Sequence, residues 1–168
     1  MSRIFVVSDT HFWHTNIIYY GSRPFSCIEH MNQQLVTNWN KVVKNTDTVY
    51  HLGDVVMSNR EDFRKNILPK LNGKIVFIRG NHDNLSMSHI YNIIINFKGY
   101  KIELLHNPDD VTLDCKYVIH GHIHKNTDGS LTHGDYKIKG IKYFNANVEF
   151  NNYKPVLINE IIGRWNNE

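Results

Sequence analysis

The chain has 168 residues and a mass of 19.7 kDa, enough for one domain with its own core and too little for a separate cap. Its 19 basic and 16 acidic side chains leave a formal charge of +3, which suits a phosphate-bearing partner but makes no case for nucleic acid. The two cysteines, Cys27 and Cys115, have no paired metal spacing, which excludes a zinc finger and a disulfide scaffold and favours a reducing, cytoplasmic setting with both thiols buried.

Met1-Ser2-Arg3 leads into Ile4-Phe5-Val6-Val7, too short for a signal peptide or membrane span, so no membrane partner is expected. That continuous apolar run predicts a strand covered on both faces, with Asp9 and His11 just past its carboxyl end. Met31, Leu35, Trp39 and Val42/Val43 recur at helical spacing and predict an amphipathic helix over 29–44. A second strand, Thr48 to Leu52, closes on Gly53-Asp54. Glu61 to Leu68 reads as a helix that Pro69 stops. After the Asn72-Gly73 turn signal, Lys74 to Ile78 forms a third strand closing on Gly80.

The second half is richer in strands. Tyr91 to Asn96 and Tyr100 to Leu105 flank Lys98-Gly99 as a β-hairpin, and Lys116 to Ile119 is a further strand. Asp128-Gly129, Gly134 and Gly140 punctuate short strands up to Phe150, and Leu157 to Trp165 is a closing helix. A βα half followed by a β-rich half predicts two packed sheets with helices outside, in a single domain over 1–168.

Polar clusters fall where strands give way to loops: Asp9-Thr10-His11, Gly53-Asp54, Gly80-Asn81-His82-Asp83, His106, Gly121-His122-Ile123-His124 and, more loosely, Asn145 to Asn147. Oxygen and imidazole donors gathered at strand ends are what a dinuclear hydrolytic site needs. Asp54 is the bridging candidate, because a carboxylate shared by two cations holds them about 3.5–4 Å apart. Read alone, Gly-Asp is an ordinary turn. Gly-His-x-His is more specific, since alternation puts both imidazoles on one side of an extended segment. A chance Gly-Asn-His-Asp is expected in roughly one such chain in two hundred.

Taken in order, these residues resemble the calcineurin-like metallophosphoesterases, whose pattern is D-x-H, G-D, G-N-H-D/E, H and G-H-x-H. The resemblance runs from Asp9 to Asn147 and is closest to small single-domain bacterial and phage members; Val148 to Pro155 resembles their C-terminal strand and turn. It implies an α/β (α+β) fold, a four-layer α/β/β/α sandwich of two mixed sheets flanked by helices. It also implies that Asp9, His11 and His124 hold one metal, that Asn81, His106 and His122 hold the other, and that Asp54 bridges them. His82 matches the family's non-ligand His, a general acid for the leaving oxygen, here oriented by Asp83. The alternative for His82 is a structural hydrogen bond.

The activity expected is phosphodiester hydrolysis by in-line attack of a metal-bridging hydroxide, without a covalent phosphoenzyme. The substrate would be a phosphate ester such as a nucleotide or cyclic nucleotide. Alternatives on the same site are a phosphomonoesterase and a nuclease; an alternative of another class is a non-catalytic metal-binding scaffold. Ligand hardness and the resemblance favour two Mn²⁺, and the all-N/O donor set also accepts Fe, Zn²⁺, Co²⁺ or Ni²⁺. His14, Asn16 and Arg23 are candidates for touching the substrate phosphate, with solvation or structural pairing as the competing reading. His120 reads as a hydrogen-bonded structural histidine, while His30, His51, His89 and His133 match no motif position. Asn145 to Asn147 is expected at the rim.

Overall fold

The computed structural model describes residues 2–84, 88–112, 114–126 and 134–167. The expected Asp128-Gly129 turn and His133 lie outside the described residues. Strand β1 (Ile4–Val7) alternates as a doubly covered strand should: Phe5 and Val7 face one core and Val6 the other. It pairs in parallel with β2 (Thr48–His51), which pairs in parallel with β3 (Lys74–Phe77). Helices α1 (Ile17–Tyr20), α2 (Ile28–Val42) and α3 (Arg60–Asp62) follow the chain between these strands.

Helix α2 buries Met31, Leu35 and Trp39 against the outer side of the first sheet, beside Phe5, Val7 and Val49. It stops two residues before the expected end because Val43 turns extended and buried Asp47 captures the Lys44 N–H. The same carboxylate takes the backbone N–H and guanidinium of Arg3, which ties the helix exit to the start of β1. The helix expected over 61–68 is real but uneven: α3 widens into a π turn over Phe63–Ile67 and tightens into a 3₁₀ turn over Leu68–Lys70. Pro69 lacks an N–H and crowds the carbonyl four residues back, so regular α winding fails on its approach rather than at it.

The second sheet begins with the expected hairpin, β4 (Asn92–Phe97) and β5 (Tyr100–Leu105), turned at Lys98-Gly99 with both φ angles positive. Strand β6 (Tyr117–His120) lies parallel to β5, β8 (Ile141–Asn145) parallel to β6, and β7 (Asp135–Ile138) antiparallel to β8 at the edge. Strand β9 (Val156–Leu157) returns to pair antiparallel with β1, and α4 (Ile158–Asn166) closes the described chain. The orders are β3-β2-β1-β9 and β4-β5-β6-β8-β7, two mixed sheets as expected.

Val6, Leu52, Ile78, Ile102, Leu104, Ile119 and Phe144 fill the space between the sheets, together with Ile158, Ile161 and Trp165 of α4. On the far face of the second sheet Leu105, Val118 and Tyr143 are covered by Val111, which follows a one-turn 3₁₀ helix over Pro108–Asp110. Cys115 is buried, but Cys27 is exposed, contrary to expectation, because it occupies the N-cap of α2 where the chain enters from solvent. Among the described residues no helix is long and apolar enough to cross a membrane.

Candidate metal centre

Six strands, β1, β2 and β3 in one sheet and β5, β6 and β8 in the other, run parallel within their sheets. The polar clusters follow their carboxyl ends. The sheets meet there through a parallel bridge between Ser8 and Asn147. Backbone geometry then aims the side chains. Asp9, His11, Asp54 and His122 all take positive φ, a left-handed conformation that costs non-glycine residues energy and gathers at functional sites. The loops interlock as they do so: Asp9 N–H donates to Gly53 O and His11 N–H to Asp54 O, both at 3.0 Å. Gly53, with φ 91°, packs its backbone against Gly80; a Cβ there would lie 2.6 Å from Gly80 Cα.

Two buried carboxylates are presented in the same way. Asp9 Oδ2 accepts the His122 N–H at 3.0 Å, and Asp54 Oδ1 accepts the His82 N–H at 3.0 Å. Each anchored carboxylate leaves its other oxygen facing the centre. Asp54 Oδ2 lies 3.6 Å from His11 Nε2 and 3.4 Å from His106 Nε2, standing between the two expected ion positions. Asp9 Oδ1 lies 3.9 Å from His11 Nε2 and 3.5 Å from His124 Nε2. Asn81 Oδ1 lies 2.9 Å from His106 Nε2 and 3.1 Å from His122 Nδ1. All seven expected ligands therefore converge.

Among the described residues two groups could hold a metal ion, Asp9-His11-His124 and Asp9-Asp54-His106. Asp9 Oδ1 and His11 Nε2 are buried without a hydrogen-bond partner. Burying such atoms unpaired is costly, and a cation is the group that would satisfy an anionic oxygen and an imidazole lone pair together. The donor set fits divalent metal.

The proton balance agrees. Burial alone would raise the Asp9 pKa, but the His124 contact and the nearby imidazoles hold it far below the carboxylate range. Burial pushes His11 well down, leaving its imidazole neutral. Burial also opposes protonation of His106 and His124, yet Asp54 lifts the first to about 9, and Asp9 and Glu149 lift the second to about 10. A metal must displace those protons, so its affinity falls in acid.

Groups beneath the ligands set their orientation. His106 Nδ1 donates to Leu52 O at 2.8 Å, which turns Nε2 to the centre. His124 Nδ1 donates at 2.8 Å to Glu149 Oε1, a residue that the motif pattern does not include. Glu149 also accepts the Lys125 N–H and is paired with Arg23, the two side chains 2.9 Å apart and fully buried. Its one sequence signal is a carboxylate between Val148 and Phe150, an apolar setting where a charge needs a partner.

Three expectations change here. Arg23 is buried rather than at the mouth of the site: its guanidinium is spent on Glu149 and on the carbonyls of Thr10 and Asp9. Asp83 does not orient His82: its carboxylate accepts the N–H groups of Asp54, Val55 and Gly80, and so holds the Asp54 loop. Asn145 and Asn147 are buried, not at the rim; both donate to Ile123 O and brace the Gly-His-x-His loop. His14 does sit at the mouth, its Nδ1 3.2 Å from His11 Nδ1, while Asn16 is exposed beyond it. The His82 ring lies 5.9 Å from that of His11. His51, outside every motif, donates from Nε2 to Thr10 Oγ1 at 2.9 Å and braces the first loop from below.

This fold and this cluster of carboxylates and imidazoles define a calcineurin-like phosphoesterase, and the chain belongs to that superfamily: its domain model matches residues 2–146. The chain is 46% identical to the uncharacterized protein MJ1445 of Methanocaldococcus jannaschii over 96% of this chain and 90% of that one. It is also similar to the crystal structure of AQ665, a protein of unknown function from Aquifex aeolicus. That match has a TM-score of 0.76 and 32% identity, and covers 97% of this chain and 99% of that chain. Vps29 of Chaetomium thermophilum shares the fold alone, with a TM-score of 0.52 and 14% identity over 89% of this chain and 75% of that one.

Proposed function

We propose that the protein is a phosphodiesterase working with two divalent cations, Mn²⁺ foremost. Asp9, His11 and His124 would hold one, Asn81, His106 and His122 the other, and Asp54 would contact both. The observation that carries this reading is the pair of anchored carboxylates whose free oxygens face a ring of imidazoles, with Asp9 Oδ1 and His11 Nε2 buried and without a hydrogen-bond partner. When bound, such cations lower the pKa of a water and neutralise charge on a phosphoryl group.

The chain's own residues supply the rest. His82, tethered through its backbone to Asp54, places an exposed imidazole at the mouth, where it can pass a proton to the leaving oxygen. The diester preference is supported by the fate of Arg23. With that guanidinium committed to Glu149, it is not available to a monoester's second negative charge, whereas a diester carries only one.

Rates on bis-p-nitrophenyl phosphate and p-nitrophenyl phosphate with Mn²⁺ test the choice, and a monoester preference would overturn it. Asp54→Asn should lower turnover by at least about 10³-fold, and His82→Ala should lower kcat while Mn²⁺ binding persists. Full turnover in Asp54→Asn would remove Asp54 from the chemistry, full turnover in His82→Ala would leave His82 a structural role, and no turnover of any ester by the Mn²⁺-loaded wild type would leave only the scaffold reading. Cleavage of single-stranded DNA or RNA faster than the small diester would instead mark a nuclease.

A further inference from the structure

Beside Asn81, His106 and His122 the surface opens into a cleft of about 380 Å³. This is a size that holds a small ligand. The His82 ring, 5.9 Å from that of His11, is not among the groups that line this cleft. The two placements matter together. A phosphomonoester carries one substituent, the leaving group, which must lie beside its acid. A diester carries a second substituent that stays on phosphorus and needs a place of its own.

The cleft wall is prepared for a flat group. Tyr91 exposes 63% of its surface, yet its ring is held. Arg79 Nη1 donates to the Tyr91 hydroxyl at 2.5 Å, and the guanidinium carbon lies 5.3 Å from the ring centroid. Arg79 is itself fixed, its Nε donating to Asp83 O at 3.3 Å and its backbone N–H to Ile90 O at 2.7 Å. An aromatic ring whose rotamer is already set stacks a partner with little further loss of entropy. Buried Leu105 adds an apolar contact. Asn107 has its Oδ1 occupied by the Asp109 N–H, which leaves amide N–H groups as donors, and exposed Asp110 supplies acceptors. A stacking ring, an apolar contact and polar groups of both kinds suit a planar heterocycle with donor and acceptor edges.

We infer that this cleft is the subsite for the retained substituent of the diester, and that this substituent is a nucleoside whose base stacks on Tyr91. The inference rests on the phosphodiesterase reading. Two diesters with the same leaving group test it, thymidine 5′-(p-nitrophenyl phosphate) and ethyl p-nitrophenyl phosphate, each with the Mn²⁺-loaded protein. The nucleoside diester should have a kcat/KM higher by about tenfold or more. Tyr91→Leu should bring the ratio of the two values close to one, and Tyr91→Phe, which keeps the ring, should preserve it. A wild-type ratio near one, or a ratio that survives Tyr91→Leu, overturns the subsite while leaving the phosphodiesterase standing. Hydrolysis of neither diester overturns the phosphodiesterase instead. Calorimetry with thymidine 5′-monophosphate and ethyl phosphate then decides the subsite: tighter nucleotide binding that Tyr91→Leu abolishes sustains it, and equal binding removes it.

Discussion

On the Asp9 side of the centre the supporting groups are buried and charged, whereas on the Asn81 side two of the three donors, Asn81 and His122, face solvent. Behind His124 stand Glu149 and Arg23, an ion pair inside the protein that also grips the carbonyls of Asp9 and Thr10. The His122 N–H is held by Asp9, but the side chains beneath its loop are neutral: buried His120 donates from Nδ1 to Gly121 O at 2.7 Å and lies 3.1 Å from the Tyr136 hydroxyl. On the proposed two-ion reading, one ion would sit deep against buried charge. The other would sit in the open part of the centre, beside the cleft.

The largest expected effect comes from the charged support. Glu149→Gln keeps the shape but leaves Arg23 buried without its carboxylate, which should cost about 3 kcal/mol of stability in urea unfolding. The same change should weaken Mn²⁺ binding at the Asp9 side by roughly 10–100-fold, because His124 loses its carboxylate acceptor. Replacing both members, Arg23→Met with Glu149→Leu, should recover much of the stability without recovering the affinity. If calorimetry shows both ion positions weakened equally, the contrast between the two sides fails.

Acid probes the neutral support. Burial pushes the His120 pKa down to about 4 from an ordinary value of 6.5, and burial does the same to His51. As pH falls, the unfolded chain takes up these protons before the folded one. The stability due to each neutral histidine is therefore complete above pH 6.5 and declines between 6.5 and 4, and the full loss amounts to about 3 kcal/mol once the pH is below 4. His120→Asn removes one of the two titrating groups, so urea midpoints measured from pH 7 to 4.5 should fall less steeply than in the wild type. An unchanged slope would mean that His120 is already charged in the fold.

The convergence of the candidate ligands is legible in the sequence because each follows an apolar run in a fixed order, and strand ends bring ordered motifs together without further information. Their supports were not readable in this way. Arg23 and Glu149 are 126 positions apart and meet only because the turn at Val148–Phe150 folds back beneath the Gly-His-x-His loop. Alone, the first reads as a loop cation near the substrate. Asp83 misled for the opposite reason. Its neighbour in the chain is His82, yet buried Asp83 turns inward to the Asp54 backbone while His82 faces solvent. The two sheets followed from hydrophobic runs, but the π turn before Pro69 is a local compromise that no periodicity announces.

The smallest expected effect belongs to the open side. Asn81 presents a neutral amide oxygen from an exposed loop, and buried His106, whose Nε2 it meets at 2.9 Å, keeps the Asp54 carboxylate as its charged partner. Asn81→Ala should therefore leave urea stability within about 0.5 kcal/mol of the wild type. It should weaken Mn²⁺ by about tenfold at the Asn81 position only, since a neutral oxygen binds a cation less strongly than the carboxylates do. Asn81→Asp separates charge from geometry. A carboxylate there should tighten the open position and, by making the centre less positive, reduce its pull on an anionic phosphate. Tighter metal binding with a raised KM for the small diester would show that the amide is neutral for the substrate's sake. A lowered KM would mean that metal occupancy, rather than the charge of the centre, limits the open side.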